Sequence, residues 1–398
     1  MSRSILISGA GIAGPSLAYW LGRLGHDVTV VEQSPCLRDG GAAAVDFRGD
    51  QLVLLERMGV LADIRAQQTG MGDQLVVDAS GRTLATFPSA LFSGEVEIDR
   101  GDLARILYEH SRHEAEYVFG DRVTAIDQHD DGVDVRFAHG PARTYDLVIG
   151  ADGLHSAVRR LAFGDEHRFR RDLGYYIAAF GAPNTFGLNH SGLIYNEPGR
   201  YLSVASGRDT GRATIGFLFA ADPQEYDRHD LDAQKRLVAT HFADVGWKAP
   251  ELLAAMRDSG DLFFDSLSQI RLDRWSDGRV ALLGDAAWCA GPGGNGTGHA
   301  MLGAYILAGE LAAADGDHRL AYSRYEQRMR PPVDKSQKFA TGAGRFLAPA
   351  THWQIRRRNL TYRFLSSRPL SSVFTRLAAK SGNTGQLPHY PLPAAAAH

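Results

Sequence analysis

The chain has 398 residues, 44% of them hydrophobic and 22% charged, with a net charge of -3. That length exceeds one ordinary domain and suits two, or two with an appendage. Near-neutral charge argues against nucleic acid or an anionic membrane as the main partner, and two distant cysteines, Cys36 and Cys289, argue against a disulfide framework or a metal site and for a cytoplasmic setting. "SILISGAG" is a short apolar run ending in glycine and reads as a buried strand. It is entered at once, with no charged-then-apolar signal segment before it, and no apolar stretch is long enough to span a bilayer. "GPSLAYWLGRLG" follows with helical spacing and a stop at Gly25, and "HDVTVVEQ" is a second strand, so the first 32 residues form a βαβ unit.

Residues 50–67 read as one helix, "DQLVVDASGRTLATF" (73–87) as a hairpin, and 99–112 as a helix. Residues 121–153 read as a meander that ends in a buried strand. Residues 171–270 are aromatic and β-rich, which suggests an antiparallel sheet of a second domain, followed by helices in "DAQKRLVATHFADV" and "APELLAAMRDSG". "RVALLGD" (279–285) returns to strand, and a helix then runs to about Gly316. The remainder to about residue 378 reads as helical and Arg-rich, bent or broken at Pro331–Pro332, with "PHYPLPAAAAH" as a frayed tail. The Arg-rich segment "WQIRRRNLTYRF" reads as a helix with its apolar side down and its charges solvated.

Gly9-Ala10-Gly11-Ile12-Ala13-Gly14 is a G-x-G-x-x-G pattern between a strand and a helix. Gly9 permits the tight turn, Gly11 lets a pyrophosphate approach the backbone, and Gly14 lets the helix pack close to the sheet. The helix end and its free N–H groups suit the diphosphate. Glu32, followed by Gln33, ends the second strand where a carboxylate can accept from both ribose hydroxyls of an adenosine. Arg38 and Arg48 lie nearby, but the acid at the strand end argues against a 2′-phosphate there.

Two further stretches carry a resemblance. "YDLVIGADGLHSAVRR" (145–160) resembles the D-G motif, and "GRVALLGDAAW…PGGNGTG" (278–298) the G-D motif, of the flavin-dependent aromatic hydroxylases, the p-hydroxybenzoate hydroxylase-like monooxygenases. With the N-terminal glycines these motifs come in that family's order and spacing, over about residues 3 to 315. The resemblance implies an α/β fold: a Rossmann-like FAD-binding domain, a β-sheet substrate domain and C-terminal helices. The expected division is 1–72, 97–170 and 271–318 for the FAD domain, 73–96 for a substrate-domain hairpin, 171–270 for the substrate domain, and 319–398 for the helical end.

The implied chemistry is a monooxygenase cycle. FAD binds without a covalent link, NAD(P)H reduces it, O2 adds to give a C4a-hydroperoxide, and one oxygen passes to an aromatic or polyketide-like small molecule. The family lacks a second dinucleotide-binding domain, and no other strand–G-x-G-x-x-G–helix unit occurs here. Carried over by motif, Asp285 should hydrogen-bond the ribityl chain, Arg100 should reach the ribityl–phosphate region, and Asp152 and Gly153 should serve the cofactors. Ser156 and Arg159 match later positions of the D-G motif, Arg159 either directly or by bracing the turn.

Gly294, Gly296, Thr297 and Gly298 precede a helix, so their N–H groups and the positive helix end can point at the flavin N1–O2 edge, which is negative when reduced. Pro292 fixes the entry to this loop. The usual family pattern, roughly G-D-A-A-H-x-x-x-P-x-x-G-x-G, is altered here: Trp288 replaces the frequent His, and the Pro-to-glycine segment is one residue shorter. On the substrate side, Tyr176, Tyr195, Phe217 and Phe219 are candidate contacts, although residues at a period of two more often fill a core. His190 and His299 could deprotonate a phenol, and neither has an assigned role. The same fold also carries Baeyer–Villiger insertion, epoxidation and antibiotic modification. A halogenase is disfavoured because W-x-W-x-I-P is absent, and a non-redox FAD-containing cyclase stays open.

Overall fold

The computed structural model describes residues 2–37, 44–91, 93–224, 226–293, 295–365 and 387–391. Arg38 and Gly294 therefore lie outside the described residues. The first sheet runs Ser276–Asp277, Val280–Leu282, Leu147–Gly150, Ser4–Ser8, Asp27–Glu32, Glu116–Phe119. All its neighbouring pairs are parallel except the first. Ile5, Leu6 and Ile7 are fully buried, as expected of a central strand covered on both faces. The helix Ala13–Arg23 connects the first two strands and stops at Gly25, whose left-handed φ of 81° and N–H bond to Gly22 O turn the chain.

The single helix expected over 50–67 is two helices, Asp50–Met58 and Leu61–Ala66. Gly59 adopts φ 81°, and Val60 N–H returns to Leu55 O, a C-terminal glycine stop that ends the first helix. The hairpin Gln74–Val77 with Thr83–Phe87 is present, its turn held by Asp78 accepting from Ser80 N and Arg82 N. The meander gives an antiparallel three-stranded sheet over Val123–Gln128, Val133–Phe137 and Arg143–Tyr145.

The second large sheet has seven strands in the order Phe263–Ile270, Arg170–Pro183, Arg212–Ala220, Arg200–Ser206, Ser191–Glu197, Gln74–Val77, Thr83–Phe87. Its one parallel pair joins the early hairpin to Ser191–Glu197. One face packs Tyr176, Phe180, Phe217 and Phe219 against Val238, Phe242, Leu252 and Met256 of the helices Leu231–Phe242 and Ala249–Asp258. The opposite face carries Tyr175, Ile177 and Leu218 under Leu347 and Ala348.

Three expectations about the C-terminal part change. The helix His318–Ala340 runs through Pro331–Pro332 without breaking. Each proline removes an N–H from the helix ladder, but Met329, Val333, Ser336 and Gln337 beside them are buried. Arg330 also clamps the helix by donating to Leu272 O and lying 4.4 Å over the Trp275 ring. The tail is not frayed over 387–391: Tyr390 is buried, its hydroxyl donates to Glu310 Oε1, and Pro388 O accepts from Tyr305 Oη and Arg57. The Arg-rich helix is His352–Leu365, and the part expected beyond it lies outside the described residues. Its Arg358 is not solvated; it turns inward to Phe346 O, Leu347 O and Asn196 Oδ1. No helix among the described residues is long and apolar enough to cross a membrane.

Candidate cofactor and substrate site

The glycine turn meets the steric demands set for it. Gly9 has φ 107°, and a Cβ there would lie 2.5 Å from Ala151 O and 2.9 Å from Asp152 Cα. A Cβ on Gly14 would overlap Gly9 O, whereas one on Gly11 would meet nothing within 4 Å. Gly11 is thus the open position of the turn, as a close-approaching phosphate requires. Ile12 and Ala13 are buried at the helix start. Glu32 accepts from Ala10 N and Ser34 N, each at 2.9 Å, so its carboxylate also ties the glycine turn to the second strand. Gln33 is exposed beside it.

The D-G segment follows the strand Leu147–Gly150 and touches that turn through Ala151 and Asp152. The Asp152 carboxylate accepts from Ser156 Oγ at 2.5 Å, Ala157 N at 2.8 Å and Val158 N at 3.1 Å. It is therefore engaged with the N-terminus of the helix Ala157–Phe163, and burial raises its pKa despite these bonds. Gly153 has φ 80° and open space around it. Arg159 is fully buried and braces: it donates to Leu154 O, Ala286 O and Glu166 Oε2. Sequence reading missed His155, which lies between Glu166 Oε1 at 2.9 Å and Asp265 Oδ2 at 3.2 Å. Burial acts to lower its pKa, and the two carboxylates outweigh burial and raise it.

The G-D segment reaches the same place. Gly284, at φ 65°, packs so that a Cβ would lie 3.2 Å from Ala13 Cβ, and half-buried Asp285 opens the short helix Asp285–Trp288. A Cβ on Gly296 would lie 3.7 Å from Asp285 Oδ1, which places this carboxylate between the dinucleotide turn and the second glycine loop. Trp288 is a core residue, 4.4 Å from Trp275 between ring centroids and 5.8 Å from Tyr325. Pro292 is partly buried, and Asn295, at φ 55°, caps the helix Gly296–Ala313, whose first residues Gly296, Thr297 and Gly298 offer N–H groups with no helical partner.

Gln51 was also missed, because a Gln in a first helical turn reads as solvated. It is buried, its Oε1 accepts from Arg48 N, and a Cβ on Gly298 would overlap its Nε2. Arg48 itself pairs with Asp46 at 2.7 Å and donates to Ser93 O. Arg100 is exposed at the start of the helix Arg100–Ser111, and the adjoining Asp99 pairs with Ala44, at the far end of that ribbon from Phe47 and Arg48.

The candidate substrate aromatics and histidines are placed elsewhere. Phe217 and Phe219 are fully buried against the helices, as is Tyr176. Tyr195 stacks on Trp247 with its hydroxyl on Glu197 Oε1. All four belong to the core face of the sheet. His299 is buried with Nδ1 3.2 Å from Ser336 Oγ, in the seam with the helix His318–Ala340. His190 is exposed, at φ 46°, with Nδ1 3.1 Å from Thr69 O.

The Gly9–Gly14 turn with Glu32, the Asp152–Gly153 turn, Asp285 and the start of the helix at Gly296 thus come together, with the open backbone at Gly11 suited to a dinucleotide. Comparison with known proteins agrees with that reading. The model of the FAD binding domain family matches residues 2–335. A flavin-dependent monooxygenase of Legionella longbeachae is 38% identical over 340 residues, covering 84% of this chain and 87% of its own. The crystal structure of tetracycline destructase Tet(51) superposes with a TM-score of 0.85 at 35% identity, over 98% of this chain and all of the other. Klebsiella pneumoniae HpxO complexed with FAD and uric acid, at 23% identity and TM-score 0.73 over 96% of this chain and 98% of the other, shares the fold. The chain belongs to the FAD-binding-domain family of flavin-dependent monooxygenases. It is an FAD-dependent enzyme with the p-hydroxybenzoate hydroxylase-like fold.

Proposed function

We propose that the enzyme consumes NAD(P)H and O2 to insert one oxygen atom into an aromatic or polyketide-like small molecule. The observation that carries this reading is the convergence of three distant motifs, with Gly9 against Ala151 and Asp152 and Gly284 against Ala13. Bound FAD supplies the electron transfer from NAD(P)H and the activation of O2. The chain's own residues do the rest. Gly11, Glu32, Asp152, Gly153 and Asp285 hold the dinucleotide, with Arg100 and Arg48 at the margins. The N–H groups of Gly296, Thr297 and Gly298, with Pro292 shaping the loop, present positive potential to the flavin ring.

The substrate lies on the open face of the seven-stranded sheet. Two cross-strand rows there are built of small residues: Ala179, Gly216 and Ser203, then Gly181, Thr214, Ala205 and Gly192. Most are only partly buried, and they make a shallow floor beside Ile177 and Tyr201. Leu347 rests on this face at the end of the helix Ala343–Leu347, and a Cβ on Gly293 of the flavin loop would lie 4.0 Å from Ala343 Cβ. These contacts support a floor that looks toward the flavin loop. Substrate seated on that floor would exclude water and protect the oxidising equivalent.

A second reading, oxidative modification of a fused-ring antibiotic, is favoured by the likeness to tetracycline destructase Tet(51) over 98% of the chain, C-terminal helices included. Both readings are tested by mixing the yellow holoprotein with NADH or NADPH, O2 and a panel of phenols, aromatic polyketides and tetracyclines. Accelerated NAD(P)H oxidation with incorporation of isotopically labelled O2 into product is expected. A flavin that neither nucleotide bleaches, with every ligand tried, overturns the proposal.

A further inference from the structure

We propose that Gln51 is a flavin-contacting residue: its side-chain amide nitrogen donates to the pyrimidine edge of the bound ring, beside the N-terminus of the helix Gly296–Ala313. This goes beyond the functional reading above and depends only on FAD binding, whatever the substrate.

Four observations converge. Gln51 is only 4% exposed. Its Oε1 accepts from Arg48 N at 3.0 Å, and that bond fixes which end of the carboxamide is the nitrogen. The nitrogen, with two N–H donors, has no partner among the described residues. Finally, Nε2 fills the space a Cβ on Gly298 would need. Gly298 is the third residue of an 18-residue helix, and its own N–H is among those with no helical acceptor. A buried amide nitrogen is costly to leave unbonded, and this one stands beside the first N–H groups of the helix, which have no helical acceptor.

Such a cluster of donors suits an acceptor-rich edge that gains negative charge. The pyrimidine side of a flavin, with its carbonyl oxygens and N1, has that chemistry, and it becomes more negative on reduction. Gln51 would therefore favour the reduced cofactor over the oxidised one. Glycine at 298 then has a reason beyond backbone freedom: any larger residue displaces this amide.

The test compares the holoprotein with Gln51→Glu and Gln51→Met. Glu keeps the acceptor for Arg48 N and replaces the donor by a negative oxygen. Met removes both. Melting of the apoproteins controls for folding, and the readouts are FAD affinity and the two-electron midpoint potential, neither of which requires a substrate. Loss of one donor bond is expected to weaken binding of the reduced form about tenfold relative to the oxidised form, a potential lower by about 30 mV. Glu should lower it further than Met. Unchanged potentials in both variants overturn the proposal, and so does a wild-type potential in Glu with a lowered one in Met, because the Arg48 turn alone would then explain the residue.

Discussion

The Arg159 guanidinium donates to the carbonyl oxygen of Ala286 at 2.9 Å, so a side chain of the D-G motif holds the backbone of the G-D motif, 127 positions further along the chain. The same guanidinium bonds Leu154 O and pairs with Glu166 at 2.8 Å, with no solvent exposure. Both motifs pack against the Gly9–Gly14 segment, and this buried cation ties one to the other.

Replacing Arg159 by Ala leaves Leu154 O and Ala286 O without their donor and takes one of the cationic partners from Glu166, which keeps His155 and Arg170; breaking a buried pair by removing one partner costs up to about 3–5 kcal/mol. Lys cannot reproduce the fork geometry and should recover only part of it. Urea unfolding together with the FAD content of purified protein checks this; wild-type stability in Arg159→Ala would rule out the bracing role.

Two glycines of the turn, Gly14 and Gly11, should separate folding from binding. Gly14→Ala collides with Gly9 O and should destabilise the protein by several kcal/mol, with or without FAD. Gly11→Ala meets no protein atom, so the apoprotein should melt normally while FAD affinity falls about tenfold or more. Equal loss of apoprotein stability in both variants contradicts this division.

The His155 bridge predicts a pH dependence. The His155 pKa is raised by Asp265 and Glu166, against burial, so the folded state binds its proton more tightly than the unfolded state. That contribution is fully present below about pH 6.5 and is lost as pH rises through the higher folded value. Glu166 shifts the opposite way: burial opposes ionisation, but His155, Arg159 and Arg170 lower its pKa, so its contribution is lost on acidification. His155→Gln should flatten the fall in stability that begins as pH rises above about 6.5, and should also shrink the acid limb, because Glu166 loses a partner that lowers its pKa. Unfolding curves at each pH decide it; an unchanged alkaline limb excludes the bridge.

The small-residue floor predicts a selective defect. Ala205→Phe places a large ring on the open face, so KM for a productive substrate should rise at least tenfold with FAD content and melting unchanged. Gly216 needs no such ring to be sensitive, since a Cβ there would already lie 2.7 Å from Ser203 Oγ. Wild-type KM in Ala205→Phe would move the substrate off this face.

Where function rests on backbone, the chain could be read directly. The glycine turn, Glu32 at its strand end, the G-D strand and the hairpin each follow from local rules of spacing, and each occupies its expected place. Side chains whose meaning depends on distant partners were opaque. Gln51 acquires its setting only from Gly298, and His155 from Asp265. The period-two aromatics Phe217 and Phe219 marked one face of a strand, but only the helices Leu231–Phe242 and Ala249–Asp258 reveal it as the core face. Pro331–Pro332 looked like a break because proline's local cost is plain in sequence, while the clamp of Arg330 on Leu272 O is not. Trp288, in the position of a frequent histidine, is likewise explained only by Trp275 and Tyr325.

Tyr390 seats its ring over Gly309, and Glu310 beneath it is 2% exposed, satisfied by that phenol and by Arg328. The helix Gly296–Ala313 therefore has its midsection covered by the short segment 387–391. Removing the segment that holds Tyr390 would open a slot along that helix and admit water to an acid that needs a neighbour.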